Sequence, residues 1–178
     1  MPTASGPWMA DPDRISIEIR LAGAADEPAL TAIDLQTRSA AVTPAAGPAH
    51  GCALFDGRAT PQDTLVAVLE GEPVGLIAIA HPTGLESHSH VYEVIDLAVA
   101  TEYQRQGIGR ALVEAAVGEA AARGARRLTL RVLSSNPGAR ALYESAGFAV
   151  EGVLREEFLL EGRYVDDLLM ARALDPEA

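Results

Sequence analysis

The residues from Gln104 to Arg110, Gln-Arg-Gln-Gly-Ile-Gly-Arg, form the stretch best suited to hold an anion. Gly107 and Gly109 carry no Cβ, so a bulky anion can approach the backbone closely. A helix begins here, exposing unpaired N–H groups and the positive end of its dipole. Arg105 and Arg110 add charge of the same sign, and together these features describe a phosphate-binding turn. It is not a Walker A loop, because no Lys-Ser or Lys-Thr follows, and Leu112 fills the last position of a dinucleotide fingerprint with a bulky residue. By itself a Gly-x-Gly pair fits equally well a helix start whose glycines serve only the turn. A second chemical candidate is Glu93, a carboxylate inside the apolar run Val91 to Val99. Isolation there is costly and raises a carboxyl pKa, which suits a general base near neutral pH. Alternation turns Asp96 to the opposite face, where it reads as a structural carboxylate paired with an arginine.

These residues need a strand and a helix to place them, and the chain provides both. Val91 to Val99 is almost continuously apolar and β-branched, as a strand covered on both faces would be. Ile108, Leu112, Val113, Ala116, Val117, Ala120 and Ala121 fall at helical spacing, and Gly124 ends that helix behind Arg123. Residues 1–13 read as a disordered arm containing Trp8, which either docks on the body or stays mobile. Ile15 to Leu21 alternates as a first strand. Asp26 caps a helix with Pro28 in its first turn and Leu30, Ile33 and Leu35 facing inward. Residues 39–63 form a long loop without a steady period. Thr64 to Leu69 and Val74 to Ala80 make a hairpin.

His81, His88 and His90 crowd the next connection. They lack a cysteine neighbour and regular spacing, so exposed loop histidines are expected there rather than a metal site. Arg127 to Leu133 is a further strand. Asn136 caps a short helix that starts at Pro137, carries Ala139, Leu142, Tyr143 and Ala146, and closes at Gly147. Tyr143 taken alone reads as a core tyrosine on an amphipathic helix. Phe148 to Leu160 and Arg163 to Leu174 form a long hairpin. No linker divides residues 14–178, so one α/β domain is expected.

Composition bounds the reading. The chain has 178 residues, 48% of them apolar, enough for one domain with a real core. Its formal net charge of −11 argues against nucleic acid as a partner and allows electrostatic attraction of a cationic amine. The single cysteine, Cys52, fits a reducing cytoplasm. No apolar run is long enough to span a bilayer, and the N-terminus shows no secretory pattern, so no membrane partner is expected.

QRQGIGRAL following IDLAV resembles the acetyl-coenzyme-A-binding motif of the GNAT N-acetyltransferase superfamily. Asn136 to Phe148 resembles its second signature, N-x-x-A-x-x-L-Y-x-x-x-G-F, at every specified position. The resemblance implies an α/β GNAT fold. In it a mixed central sheet of six to seven strands has helices on both faces and a splayed pair of parallel central strands. It implies acetyl-CoA as co-substrate, without a metal. Arg105, Gln106, Gly107, Ile108, Gly109 and Arg110 would hold the pyrophosphate. Leu97, Val99, Asn136 and Arg140 would complete the coenzyme site, with the peptide groups of Leu97 and Val99 facing the pantetheine arm. Tyr143 would protonate the leaving thiolate. Glu93 stands where several members carry a catalytic glutamate, and either it or a bound water would be the base. Residues 39–63 correspond to a region that covers the acceptor site in many members, so they form either a lid or a mobile insertion.

The implied reaction is direct transfer of an acetyl group to the primary amine of a small molecule or peptide within a ternary complex. A backbone N–H such as that of Val99 would polarise the carbonyl. Cys52 has no adjacent histidine and is not expected to carry the acyl group. The final hairpin resembles the branch containing ribosomal-protein N-terminal acetyltransferases and small-amine enzymes. Some of those carry a glutamate on the strand before the second motif, where this chain has Arg131, a residue suited to an acceptor carboxylate. A protein N-terminal or antibiotic acetyltransferase, a partner in a toxin–antitoxin pair and a non-catalytic coenzyme-binding module are the alternatives. A homodimer is compatible with the resemblance.

Overall fold

The structure is a computed structural model that describes residues 17–39, 41–44, 54–55 and 59–174. The expectations for the arm, for Trp8, for Cys52 and for much of the 39–63 loop lie outside those residues. In chain order the elements are β1 (Glu18–Leu21), α1 (Glu27–Thr37), β2 (Thr64–Leu69), β3 (Glu72–Ala80), β4 (Val91–Val99), α2 (Ile108–Ala122), β5 (Arg127–Leu133), α3 (Pro137–Ser145), β6 (Ala149–Leu160) and β7 (Arg163–Ala173). The strands form one seven-stranded sheet in the order β1-β2-β3-β4-β5-β7-β6. Neighbours run antiparallel except β4 and β5, which are parallel.

Local chemistry sets the turns. Glu70 and Gly71 between β2 and β3 both have positive φ, as do Glu161 and Gly162 between β6 and β7, the conformation a tight hairpin requires. Gly124, at φ +83, ends α2 in the left-handed region. Arg123 at that helix end donates to Glu119 and Asp63, each at 2.8 Å, and to the Gln62 carbonyl. Its guanidinium also lies over the Tyr92 ring, 5.8 Å from the centroid. One side chain thus ties the end of α2 to the start of β2 and to β4.

The sheet is covered on both faces. α1 lies over β3 and β4 on one face, burying Leu30 and Ile33 against Val66, Val68, Leu76 and Ala98. On the other face α2 crosses β2 to β5, burying Ile108, Leu112, Val113 and Ala116 among Ile77, Ile79, Leu128 and Leu130. α3 packs against α2 on that second side.

Two expectations for α1 need correction. Leu35 is 47% exposed, and the inward position falls to Asp34, which pairs with Arg38 at 2.8 Å. Asp26 precedes the helix, but its carboxylate does not cap it. That carboxylate accepts from the Gly23 N–H at 2.7 Å and from the two terminal nitrogens of Arg20 at 2.8 and 2.9 Å. The turn between β1 and α1 has claimed it first.

Candidate active site

The pairing of β4 with β5 runs through Val91–Arg127, Tyr92–Leu128, Glu93–Thr129 and Val94–Leu130, and there it stops although both strands continue. The cause lies on the other edge of β4. Ile79 pairs with Val94 and Ala78 with Asp96, so Ile95 is an extra residue, a β-bulge. Beyond it a gap separates the two parallel strands. The Ala100 N–H donates to the Val74 carbonyl of β3 at 2.9 Å. Alternation then turns the peptide groups of Ala98 toward β3 and those of Leu97 and Val99 toward the gap. The Val99 carbonyl accepts from Gln104 Nε2 at 2.9 Å. Gln104 therefore bridges the strand to the glycine turn, a role that sequence reasoning did not assign although the residue sits inside the motif.

The bulge also reverses the alternation along β4. Glu93 stands opposite Ala80 and Asp96 opposite Ala78. Side chains directly opposite one another share a face, and Ala78 and Ala80 alternate with Ile77 and Ile79, which pack with α2. Glu93 and Asp96 therefore project from the same face, the one α1 covers elsewhere. The expected opposition of these two carboxylates is overturned, because the inserted Ile95 shifts every later residue by one.

After β4 the chain makes a short helical turn (Thr101–Tyr103) and reaches α2. Gly107 sits at φ +88 and Arg105 at φ +62. Left-handed residues in a turn are the backbone conformation from which an anion-binding nest is built. Ala111 N–H closes the first helical bond to Gly107 O at 3.0 Å. The amides of Ile108, Gly109 and Arg110 thus have no acceptor within the helix. The Ile108 side chain, 1% exposed, anchors this first turn in the core. A Cβ on Gly107 would meet nothing within 4 Å among the described residues, so the space beside that residue is open. A Cβ on Gly109 would meet Leu142 Cδ2 at 3.4 Å, so that glycine lets α3 come close. Arg105, Gln106 and Arg110 are exposed, and Gln106 Nε2 donates to the Glu102 carbonyl at 3.1 Å. The turn and the gap match the needs of a ligand with a diphosphate at one end and an extended amide-bearing arm at the other.

α3 begins as its sequence implies. Asn136 Oδ1 accepts from the Ala139 N–H at 3.0 Å, with Pro137 in the first turn. Arg140 is exposed and paired with Glu144 at 2.8 Å. Tyr143 is buried. Burial pushes its phenol well above the ordinary value, and the charge of Asp96 pushes it further. The phenol is therefore a neutral donor across the physiological range. Arg131 is engaged by two carboxylates, Asp167 at 2.5 Å and Glu157 at 3.6 Å, which leaves it less suited to an acceptor carboxylate than expected. Ser135 Oγ donates to the Ala41 carbonyl at 3.2 Å, linking the segment after α1 to the start of α3. Among the described residues no group of three His, Cys, Asp or Glu side chains is placed to hold a metal ion. His81 instead packs on the Tyr92 ring, centroids 4.0 Å apart. No helix among the described residues is long and apolar enough to cross a membrane.

Comparison with known proteins adds an independent observation. The family model described as "Acetyltransferase (GNAT) family" matches residues 32–148. The ribosomal protein bS18-alanine N-acetyltransferase of Escherichia coli is 41% identical over 78 residues, 44% of this chain and 53% of that protein. The spermidine N(1)-acetyltransferase of Vibrio cholerae is 35% identical over 81 residues, 45% of this chain and 47% of that protein. The chain thus spans about half the length of the curated relatives it matches. Among solved structures, a GCN5-related N-acetyltransferase from Kribbella flavida is similar with a TM-score of 0.76 and 29% identity, over 89% of this chain and 98% of that one.

Proposed function

From the premise that this chain belongs to the GNAT acetyltransferase family, we propose that it moves an acetyl group from acetyl-CoA to the primary amine of a small molecule or peptide. The observation that carries the reading is the adjacency, along one continuous segment, of the β4–β5 gap and the open amides at the start of α2. Acetyl-CoA supplies the activated thioester. The amides of Ile108, Gly109 and Arg110 hold its pyrophosphate, with Arg105 and Arg110 adding positive charge. The peptide groups of Leu97 and Val99 bond the pantetheine arm as one strand bonds another, and Asn136 closes the other side of the gap. The Val99 N–H lies on the gap side and polarises the carbonyl oxygen as charge develops there. Tyr143, held neutral by burial, gives its proton to the departing sulfur. Transfer is direct, within a ternary complex.

The face that carries Glu93 and Asp96 also holds Asp167, paired with Arg131, and Arg127, paired with Glu151. That balance of charge supports a cationic acceptor in preference to one bearing a carboxylate beside its amine. Calorimetry with acetyl-CoA tests the reading, followed by thiol-release assays against polyamines, amino acids, aminoglycosides and N-terminal peptides. Saturable uptake and thiol release with one amine class is the expected result. No uptake of acetyl-CoA by the folded protein would end the proposal, and uptake without any turnover would favour a binding module.

A further inference from the structure

We infer that Asp96, rather than Glu93, is the carboxylate that meets the acceptor ammonium and removes its proton; the inference rests on the transferase reading above. The two carboxylates share a face, so direction alone does not separate them. Their position along β4 does. Glu93 pairs with Thr129 on β5, one rung before the ladder ends at Val94 and Leu130. It is flanked by intact sheet on both sides, with Ala80 across from it on β3. Asp96 lies past the bulge, where β5 supplies no further partner, directly before the Leu97 to Val99 stretch whose peptide groups turn to the gap. Along the strand Asp96 is three residues, roughly 10 Å, nearer than Glu93 to a thioester lying in the gap. Tyr143 supports the same choice, because among the carboxylates it is the charge of Asp96 that acts on the buried phenol. Asp96 is half-buried.

The proton balance closes with these two side chains. The acceptor arrives as an ammonium, and Asp96 takes one proton, which frees the nitrogen lone pair. The C–N bond forms as the C–S bond breaks, and the electron pair leaves on sulfur. Tyr143 donates its phenolic proton to that sulfur. The second proton of the nitrogen returns the phenolate to phenol, and the proton on Asp96 passes to water. Overall an ammonium and a thioester become an amide, a thiol and one released proton. Timing follows from electrostatics. While Asp96 is charged it adds to the hold that burial has on the Tyr143 proton, and once Asp96 is protonated that added hold is removed, just as the sulfur needs a donor.

The test uses Asp96→Asn and Glu93→Gln, near-isosteric changes, in thiol-release kinetics with the amine the wild type accepts. Calorimetry of acetyl-CoA serves as the check on folding. Asp96→Asn is expected to lower kcat about 100-fold or more, within the range for loss of a general base, with acetyl-CoA affinity within about threefold of wild type. Glu93→Gln is expected to keep kcat within about threefold on the same scale. Asp96→Glu, which retains a carboxylate, is expected to keep more than about a tenth of wild-type kcat. An acyl hydrazide acceptor, already neutral at pH 7, should shrink the Asp96→Asn defect to below about tenfold, an effect that a purely structural role would not produce. Wild-type kcat in Asp96→Asn, a larger loss in Glu93→Gln, equal losses in Asp96→Glu and Asp96→Asn, or an undiminished defect with the neutral acceptor would each overturn the inference and leave the transferase reading standing. A wild type that releases no thiol with any amine would remove both together.

Discussion

The ring of Tyr143 stands edge-on to the ring of Phe148, centroids 5.8 Å apart and planes inclined at 63°. The Phe148 N–H donates to the Tyr143 carbonyl at 3.0 Å, and Gly147, at φ +82, makes the turn that allows it. The helix thus ends by folding its next aromatic residue beneath its last one, and both rings are buried. This explains the Leu-Tyr-x-x-x-Gly-Phe spacing physically. The glycine supplies a left-handed helix stop, and the phenylalanine fixes the direction of the phenol.

Tyr143→Phe removes one oxygen from a ring whose packing is already set by Phe148. Folding and acetyl-CoA affinity should therefore be nearly unchanged, while kcat falls about 100-fold if the phenol is the proton donor. Thiol release paired with calorimetry checks both. The same variant allows an ultraviolet titration. The wild-type-minus-variant difference should show no phenolate at pH 10, the ordinary tyrosine value, because burial and then Asp96 hold the proton. The folded state keeps a proton that the unfolded state loses above pH 10. This group's contribution to stability is therefore complete below pH 10 and declines as pH rises beyond it.

The parts of this site that local chemistry dictates were readable from the chain. Gly107 before an apolar helix and Asn136 before Pro137 are backbone instructions, and both act where expected. The bulge at Ile95 was not readable. Val91 to Val99 is apolar on both faces, so the pattern carries no register signal, and one inserted residue leaves no trace in it. That insertion decides where the β4–β5 ladder ends and which way Asp96 points. The partners of Arg131 were hidden for another reason. Asp167 and Glu157 come from β7 and β6, and nothing local shows that β7 lies between β5 and β6 in the sheet. Leu35 and Asp34 exchanged places because an ion pair with Arg38 let the acid take the inner position.

Gly107 and Gly109 should fail differently when substituted. Gly107→Ala adds a methyl group that meets nothing, but it forces an L-residue into the left-handed region at a cost of about 1–2 kcal/mol. The turn is expected to relax out of its anion-binding shape, with acetyl-CoA affinity falling about tenfold, equivalent to about 1.4 kcal/mol. Gly109→Val instead presses on Leu142, 3.4 Å from the new Cβ, and displaces α3. Its signature is lost thermal stability together with a kcat defect through Tyr143. Calorimetry and thermal denaturation of the two variants distinguish strain from crowding, and identical profiles would contradict these separate roles.

Asp26 offers a prediction independent of catalysis. Hydrogen bonds from Arg20, and then from the Gly23 N–H, hold its carboxyl below the usual value of 3.8 despite burial. Asp26→Asn should cost about 2 kcal/mol at pH 7, in the range for hydrogen bonds to a charged group. A depressed folded-state pKa contributes stability that is complete above the unfolded value and is lost as pH falls through the folded one. The gap between wild type and variant should therefore stay constant from pH 7 to 5 and shrink below about pH 4. Urea titrations at each pH measure it, and a gap that widens on acidification would reverse the assignment.

Asn136 carries two roles that a pair of variants can separate. Its Oδ1 caps α3 through the Ala139 N–H, so a bond from the same side chain to a coenzyme carbonyl would come from the amide nitrogen. Aspartate caps a helix about as well as asparagine, whereas alanine does not and costs about 1 kcal/mol. Asn136→Asp should thus preserve thermal stability and Asn136→Ala should lower it. Neither variant retains the amide donor, so both should weaken acetyl-CoA binding if that group bonds a pantetheine carbonyl. Aspartate should weaken it more, because it sets a negative charge against an acceptor oxygen. Full affinity in Asn136→Asp would restrict Asn136 to capping and would move the coenzyme arm away from this side of the gap.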